Sequence, residues 1–304
     1  MRIIWLNMKS YDCIIIGGGI AGLSAAIYLR RKNISTIVVT LDIGGRTNLP
    51  QFIENYPGYK KIEGYKIPLI CKEQAEELGA EFAYEKVSKI KKEKDLFIVN
   101  DYSTKTILLA FGKSPRILNA KNEIKFMGRG IDYNIRNYDS YKSKRVAIIG
   151  AGNSAFTSAR ELKGVAKEIT IIHRSEFKAD ETLINEVKSF CRFVNSNVKE
   201  FKGKDKMQSV LLENDEEINI DNIIINIGFE SDVSFVKDLV NLNENSEIII
   251  NDRNETSVKG IYSAGDCSSV PFKQSIISAG EGAKAALAIY QFLSGSKVKT
   301  DWVH

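Results

Sequence analysis

Apolar residues in this chain recur in short runs that predict β-strands alternating with α-helices. The first run, residues 13–16, predicts a buried strand. Three glycines, Gly17, Gly19 and Gly22, follow it at G-x-G-x-x-G spacing, and an Ala- and Leu-rich helical pattern then runs to Arg31. A second apolar run at residues 35–40 completes a βαβ unit.

The glycine spacing of this first turn suits a bound diphosphate. Gly17 permits a tight turn, Gly19 lets the backbone approach the pyrophosphate, and Gly22 lets the helix pack closely on the strand. The phosphates would then meet the positive end of the helix dipole. The alternative is a glycine-rich turn that binds nothing, because short motifs also arise by chance.

The same pattern returns further along the chain. An apolar run at residues 145–149 leads into Gly150 and Gly152, with Ala155 in the place of the third glycine, and residues 168–173 form the next predicted strand. Two matches in one chain argue against coincidence. His173, Arg174 and Lys178 stand at or just beyond the end of that strand, where basic residues would meet the 2′-phosphate of NADPH. An exposed strand end explains them almost as well, so NADH stays open.

The remaining pattern predicts connecting elements and one more polar site. Residues 67–78 have helical spacing, residues 81–99 alternate as in a small β-meander, and residues 106–112 read as a strand. A later strand, residues 260–264, ends in Gly265-Asp266 ahead of a helix that begins near Lys273. Asp266 suits hydrogen bonds to the hydroxyl groups of a polyol, and its alternative role is to cap the helix.

One position departs from the usual dinucleotide pattern. An acid normally ends the second strand of the βαβ unit and binds the adenosine ribose. This chain has Thr40 there, with Asp42 two residues on. The usual ribose contact is therefore in doubt.

Composition narrows the class of protein. The 304 residues are 43% hydrophobic and 27% charged, with a formal net charge of +5 spread along the chain, as in a globular protein of two domains. The scattered charge is a weak indication of an acidic partner and none of nucleic acid. No apolar run approaches the ~20 residues that cross a bilayer. With no signal-peptide pattern either, we expect a cytoplasmic protein.

Cysteine usage predicts neither zinc nor a local dithiol. The chain has four cysteines and two histidines, and it contains no C-x-x-C. Cys13, Cys71, Cys191 and Cys267 are far apart in sequence, so we expect no metal site and no disulfide framework.

Taken in order, these motifs resemble the low-molecular-weight thioredoxin reductase family of two-domain flavoproteins. The resemblance covers nearly the whole chain and includes Gly44-Gly45-Arg46 and Glu54-Asn55-Tyr56-Pro57-Gly58 between the two glycine turns. It implies an α/β fold with two Rossmann-like three-layer nucleotide-binding domains. The FAD-binding domain would be discontinuous, residues 1–112 and 229–304, with the NAD(P)H-binding domain, residues 113–228, inserted. It also implies a homodimer.

The resemblance assigns cofactor-binding residues to both domains and no catalytic side chain. For FAD, these are Gly17, Gly19, Ala21 and Gly22 at the diphosphate, Val87 at the adenine, Asp266 at the ribityl chain, and Gly45, Arg46, Asn55, Gln274 and Ser275 near the flavin ring, with Ala110, Gly112, Gly265 and Lys273 in the matching motifs. For NADPH or NADH, they are Gly150, Gly152, Asn153, Ser154, Ala155, His173, Arg174 and Lys178.

This chain departs from the family pattern at three places. Arg46 replaces a glutamine, and Ser175 replaces the second arginine of a His-Arg-Arg motif, which weakens the expected NADPH specificity. The redox-active C-x-x-C would fall near residues 133–138, yet no cysteine lies between Cys71 and Cys191. Disulfide exchange needs a thiolate and a resolving thiol within bonding reach, so thioredoxin reduction by the usual route is not expected.

Without a dithiol, electrons must leave the flavin by another exit. The chain then resembles the thioredoxin-reductase-like ferredoxin–NADP reductases, and an acidic ferredoxin or a flavodoxin is the expected acceptor. One alternative is a flavin-binding homologue that has lost turnover and acts as a sensor. Another is a disulfide reductase that uses an external dithiol protein or Cys13 and Cys267. Trp302 or His304 could cover the flavin, although a frayed tail is the simpler interpretation.

Overall fold

The computed structural model describes residues 8–135 and 137–295, and the chain divides into two compact units. The first unit contains the chain up to Asn48, Phe52–Ser114 and the chain from Ser231 onward. The second contains Leu49–Gln51 and Pro115–Glu230. The chain thus leaves the first unit after residue 114 and returns at residue 231, and the domain bounds expected above are 112 and 229. The grouping of residues 49–51 with the second unit was not expected.

The first unit is built on a seven-stranded sheet with the strand order β5-β2-β1-β8-β7-β6, in which β19 also pairs with β8. Its strands are β1 Lys9–Gly19, β2 Thr36–Gly44, β5 Glu81–Tyr84, β6 Ile90–Glu93, β7 Leu96–Val99, β8 Tyr102–Leu109 and β19 Ile261–Ser263. Strands β5, β2, β1, β8 and β19 are parallel, and β6 and β7 are antiparallel. The helices are α1 Ile20–Arg31, α2 Lys66–Glu77 and α6 Ser275–Ser294, and β3 Phe52–Ile53 pairs with β4 Ile62–Glu63.

The two faces of this sheet bury different layers. Alternate residues of β1 point to opposite faces, as a strand requires. Cys13 and Ile15 pack in a core with alanines and leucines of α1 and α6. Ile14 and Ile16 pack on the other face with Val87 and Phe97. The result is the three-layer arrangement that a buried parallel sheet needs.

The second unit contains a five-stranded parallel sheet with the strand order β10-β17-β11-β12-β13. These strands are β10 Ile131–Asp132, β11 Arg145–Ile149, β12 Glu168–His173, β13 Arg192–Asn195 and β17 Asn222–Ile225. Helices α4 Asn153–Glu161 and α5 Glu181–Lys188 pack on one face. An antiparallel sheet, β14 Val198–Gly203, β15 Met207–Leu212 and β16 Glu217–Asn219, packs on the other. Also present are α3 Glu123–Phe126, β9 Ser114–Pro115 and β18 Phe229–Glu230.

Two features of the fold differ from the sequence-based prediction. Strand β2 continues to Gly44, four residues beyond the predicted end at Thr40, and pairs Gly19 with Gly44. Residues 81–84 of the predicted meander instead form β5 of the parallel sheet. In both cases the difference comes from pairing with a distant strand, which the local pattern does not report. Within the described ranges, no helix has the length and apolar character needed to cross a bilayer.

Candidate cofactor sites

The first glycine turn excludes side chains at two positions and leaves space at a third. Gly17 has φ +114°, and a Cβ there would lie 2.3 Å from the Ala110 carbonyl oxygen. A Cβ on Gly22 would lie 2.1 Å from the Gly17 oxygen, so strand and helix are in direct contact. A Cβ on Gly19 would meet nothing within 4 Å. Open space therefore lies beside Gly19, at the start of α1.

The start of α1 is suited to an anion. Gly19 is its N-cap and provides no side-chain hydrogen bond, and no acidic residue lies in its first turn. The first amide groups of a helix lack intrahelical partners and carry its positive dipole end. The open space beside Gly19 thus fits the diphosphate of a dinucleotide.

Thr40 is used inside the turn. Its hydroxyl accepts a hydrogen bond from the Gly18 N–H at 2.8 Å and donates one to the Asp42 carbonyl oxygen at 2.7 Å. The side chain is buried. Thr40 thus holds the glycine turn in place of the acid that would bind a ribose, and Asp42 is exposed.

Three direct contacts join residues 46–55, which follow β2, to residues 266–275, which lead into α6. Arg46 Nη1 lies 2.5 Å from Asp266 Oδ2. The Thr47 and Ser275 hydroxyl oxygens are 3.2 Å apart, and Asn55 Nδ2 donates to Gln274 Oε1 at 3.2 Å. Residues predicted to bind the flavin thus meet in pairs. Asp266 does not cap α6, whose N-cap is Gln274.

Gly265 and helix α6 also lie close to the first turns of α1. Gly265 has φ +78°, and a Cβ there would lie 2.9 Å from the Ala21 Cβ. A Cβ on Gly282 of α6 would lie 2.0 Å from the Ala21 carbonyl oxygen. The Ser24 hydroxyl also donates to the Ala279 carbonyl oxygen at 2.8 Å. Helix α6 therefore lies directly against α1, and Asp266 follows immediately after one of these contacts.

Lys273 belongs to a half-buried ion network. Lys113 Nζ and Lys273 Nζ lie 2.8 and 3.1 Å from Glu247 Oε1, and Asn243 Nδ2 donates to Oε2. Burial alone would raise the pKa of Glu247, but hydrogen bonds from Lys113, Asn243 and Lys273 outweigh it and lower this pKa to about 2. The sequence analysis did not find Lys113 or Glu247, because nothing in their local pattern links residues so far apart.

The remaining residues predicted for FAD lie in the same unit. Val87 is buried in the core on the meander face. The Ala110 N–H donates to the Ile16 carbonyl oxygen at 2.8 Å, and its own oxygen lies beneath Gly17. Gly112 has φ +64°, and its carbonyl oxygen accepts a hydrogen bond from the Ser231 hydroxyl. Trp302 and His304 lie outside the described residues.

The second glycine turn repeats the geometry of the first. Gly150 has φ +150°, and a Cβ there would lie 2.3 Å from the Asn226 carbonyl oxygen. A Cβ on Gly152, the N-cap of α4, would meet nothing within 4 Å. Asn153 and Ser154 are exposed at the start of this helix, and Ala155 is buried. The second turn therefore also leaves a space that fits a diphosphate.

The loop after β12 folds back onto this second turn. The Lys178 N–H donates to the Ala151 carbonyl oxygen at 2.7 Å, and the Asp180 N–H donates to Asn153 Oδ1 at 2.8 Å. The His173 ring packs against Phe177 with centroids 4.6 Å apart. Arg174 and Lys178 are exposed, so the two cations predicted to meet a nucleotide phosphate lie in one loop that is tied to the glycine turn.

Comparison with known proteins identifies the family of the chain. Residues 11–287 match the family described as pyridine nucleotide-disulphide oxidoreductase. The chain belongs to this family. FAD and a pyridine nucleotide, the cofactors predicted from the sequence, are those of the family, and the two open glycine turns fit them.

Two sequence relatives and one solved structure confirm the predicted fold class and the thioredoxin reductase-like character of this oxidoreductase. The chain is 34% identical to the thioredoxin reductase of Mycoplasma genitalium over 92% of its own length and 94% of the relative. It is 32% identical to a Bacillus subtilis protein named NADH dehydrogenase, covering 94% of the chain and 60% of that relative. The crystal structure of Lactococcus lactis thioredoxin reductase superposes with a TM-score of 0.78 at 32% identity, over 94% of this chain and 100% of that one.

Proposed function

We propose that this oxidoreductase takes hydride from NAD(P)H onto FAD and passes the electrons to an acceptor outside the chain, without a dithiol of its own. The first unit would hold FAD at the Gly17–Gly22 turn, and the second would hold the nicotinamide nucleotide at the Gly150–Ala155 turn. FAD supplies the chemistry that converts a two-electron hydride into electrons for an acceptor. The protein residues orient it through the paired contacts around Asp266 and Gln274.

The state of the cysteines carries this proposal. All four cysteines of the chain lie within the described residues, and all four are free. Cys13 packs on the α1 and α6 face of the first sheet, whereas Cys267 packs on the opposite face. Burial raises the pKa of each thiol, and that of Cys191 rises to about 12. Neither a close pair nor a reactive thiolate supports disulfide exchange.

Tyr133 and Asn134, in the segment where the family has its C-x-x-C, form hydrogen bonds to neighbouring residues. The Tyr133 hydroxyl donates to Glu123 Oε1 at 2.6 Å, and burial, followed by this carboxylate, raises the pKa of Tyr133. Asn134 donates to the Leu49 carbonyl oxygen. These side chains are engaged in hydrogen bonds that hold the segment in place, which supports a structural role for it.

Anaerobic titration of the purified protein tests the first half of the reaction. We expect a bound flavin spectrum that bleaches with NADPH or NADH. The second half is tested by steady-state turnover with an acidic ferredoxin, a flavodoxin, a quinone and oxygen, each with the wild type and with single cysteine-to-alanine variants. Turnover should survive every cysteine change. If one cysteine proves essential for turnover, the protein is a disulfide reductase. If neither nucleotide reduces the bound flavin, the protein acts as a sensor.

The net positive charge of the chain supports an acidic protein as the electron acceptor. The chain carries a net charge of +5, which would steer a protein of opposite sign toward it. We expect the rate with an acidic ferredoxin or flavodoxin to fall as salt is raised, whereas the rate with a neutral quinone should not. We also propose a homodimer, which sedimentation of the purified protein would check.

Nucleotide preference is proposed to be weak. Arg174 is exposed, Ser175 stands in the place of a second arginine, and the Ser175 carbonyl oxygen lies 2.9 Å from His173 Nδ1. A single charge-assisted contact to the 2′-phosphate is worth about 1.5 kcal/mol, or about tenfold. Arg174→Ala should therefore lower kcat/KM for NADPH about tenfold and leave the value for NADH unchanged.

A further inference from the structure

Phe177 belongs to an aromatic cluster in the second unit. Its ring packs edge-to-face on Phe156 of α4 with the centroids 5.1 Å apart, and the Phe193 ring of β13 is 5.3 Å away. The His173 ring, at the end of β12, is 4.6 Å away, and Lys188 Nζ of α5 lies 5.9 Å from the Phe177 centroid. The centroid distances between the rings are those of favourable aromatic pairs. Side chains from four elements therefore pack around this one ring.

This ring attaches an otherwise exposed loop to the core. The loop, residues 174–180, joins β12 to α5, and Phe177 is half-buried against the core cluster that includes Phe156 and Val187. The other side chains of the loop up to residue 178 are exposed: Arg174, Ser175, Glu176 and Lys178. Phe177 is therefore the side chain that packs residues 174–178 against the protein interior.

The same loop is hydrogen-bonded to the second glycine turn directly after Phe177. The Lys178 N–H donates to the carbonyl oxygen of Ala151, which lies between the two glycines of the turn, at 2.7 Å. The Asp180 N–H donates to Asn153 Oδ1 at 2.8 Å. A ring in the core and two hydrogen bonds on the turn thus fix the loop beside the open space at Gly152.

We propose that Phe177 is a positioning residue for NADPH, which holds this loop in place so that Arg174 meets the 2′-phosphate. The proposal rests on the proposed function, in which the second glycine turn holds the nucleotide. A loop that is ordered beforehand avoids the loss of conformational entropy that a free loop undergoes on binding. Because Ser175 replaces the second arginine, preference for NADPH depends on how firmly Arg174 is held.

The test measures the binding of NADP⁺ and NAD⁺ to the full-length protein by isothermal titration calorimetry, so that turnover does not enter the result. Phe177→Ala should weaken NADP⁺ binding about tenfold. NAD⁺ has no 2′-phosphate, and the turn has its own support in the hydrogen bond from the Gly150 N–H to the Ile172 carbonyl oxygen, so its binding should weaken less than about threefold. Phe177→Leu fills most of the same space and should recover part of the loss.

A double-mutant cycle shows whether Phe177 acts through Arg174. Arg174→Ala alone should weaken NADP⁺ binding about tenfold. Adding Phe177→Ala to it should weaken NADP⁺ binding less than about threefold further, because the group that Phe177 positions is already absent. Losses that multiply to about a hundredfold would show that Phe177 acts independently of Arg174 and would overturn the proposal.

Phe190→Ala is the matched control. Phe190 packs against the same core and has Lys163 Nζ 4.8 Å from its ring, but it follows α5 and lies outside the loop. Its loss should lower the thermal stability to a similar extent and leave the affinity for both nucleotides unchanged. The proposal is wrong if Phe190→Ala and Phe177→Ala lose NADP⁺ affinity equally, or if Phe177→Ala loses NADP⁺ and NAD⁺ affinity equally. A wild-type protein that binds neither nucleotide would instead contradict the proposed function itself.

Discussion

In both glycine turns the first glycine has no space for a side chain, whereas the third position has such space only in the second turn. A Cβ on Gly17 or on Gly150 would lie 2.3 Å from the carbonyl oxygen of the residue after the neighbouring strand. The Ala110 N–H donates to the Ile16 carbonyl oxygen at 2.8 Å. The Asn226 N–H donates in the same way to the Ile149 carbonyl oxygen, also at 2.8 Å. At the third position a Cβ on Gly22 would clash at 2.1 Å, whereas Ala155 carries a Cβ and is buried. The first helix therefore packs more closely on its strand.

The side-chain contacts beside the two turns also differ. Beside the first, Arg46 forms an ion pair with Asp266, which directly follows Gly265 at its contact with Ala21. Beside the second, the Ser158 hydroxyl donates to Asn226 Oδ1 at 2.9 Å, and the cations Arg174 and Lys178 are exposed in the loop that is hydrogen-bonded to the turn. In the proposed function the first turn holds the cofactor that stays bound and the second holds a nucleotide that exchanges in each turnover, which agrees with the closer packing at Gly22.

Exchanging the third residues should give the largest effect. Gly22→Ala would place a Cβ against the Gly17 carbonyl oxygen, and we expect a loss of about 3 kcal/mol in the free energy of unfolding together with lower flavin content. Ala155→Gly removes only a methyl group from a helix and should cost about 1 kcal/mol. Denaturant unfolding and the ratio of flavin to protein absorbance measure both. Equal losses in the two variants would show that the turns are equally tight.

Removing one carboxylate from each unit should give a smaller effect that depends on pH. The pKa of Glu247 falls from 4.5 to about 2, so its stabilisation is present above about pH 4.5 and is lost as the pH falls toward 2. The full shift corresponds to roughly 3 kcal/mol, and because the network is partly exposed we expect Glu247→Gln to lose about 2 kcal/mol at pH 7.

Asp221→Asn is the matched change in the second unit. Hydrogen bonds from Arg145 lower the pKa of Asp221 to about 2, but its side chain is 33% exposed, so we expect a loss of about 1 kcal/mol. Both differences from wild type should vanish in acid, as followed by unfolding between pH 7 and pH 2. A difference that persists at pH 2 would indicate lost packing instead of lost charge.

Removing one hydroxyl beside each turn should give the smallest effect. Thr40→Val keeps the shape of the side chain but leaves the Gly18 N–H without its partner, and we expect a loss of about 1.5 kcal/mol. Ser158→Ala removes one neutral hydrogen bond to Asn226 and should lose about 1 kcal/mol. Flavin release on heating should shift for Thr40→Val alone, and a shift in both variants would contradict the difference between the turns.

Local pattern was sufficient to predict the elements that carry both turns. The apolar run before Gly17 and the helical pattern after it correspond to β1 and α1, and the run 168–173 corresponds to β12. Asp266 could be singled out because an acid after a buried strand is a strong local signal. These features depend on neighbours in the sequence, which periodicity reports directly.

Contacts between distant segments could not be predicted from the residues. Arg46 is separated from Asp266 by 220 positions, and Lys113 from Glu247 by 134. Ion pairing across such distances leaves no periodic trace. The extension of β2 to Gly44 was missed for a related reason, because it depends on the pairing of Ile43 and Gly44 with β1. The assignment of each site residue to its cofactor stays a prediction.

Helix α6, which packs its Gly282 on Ala21 of α1, sets the order in which this chain can mature on the ribosome. The second unit is translated in one nearly continuous stretch and can fold while synthesis continues. The contact between Ala21 of α1 and Gly282 of α6 must wait for a residue more than two hundred positions later in the chain. Nascent chains released before α6 should therefore contain a folded second unit and an incomplete first unit, and we expect them not to retain a flavin.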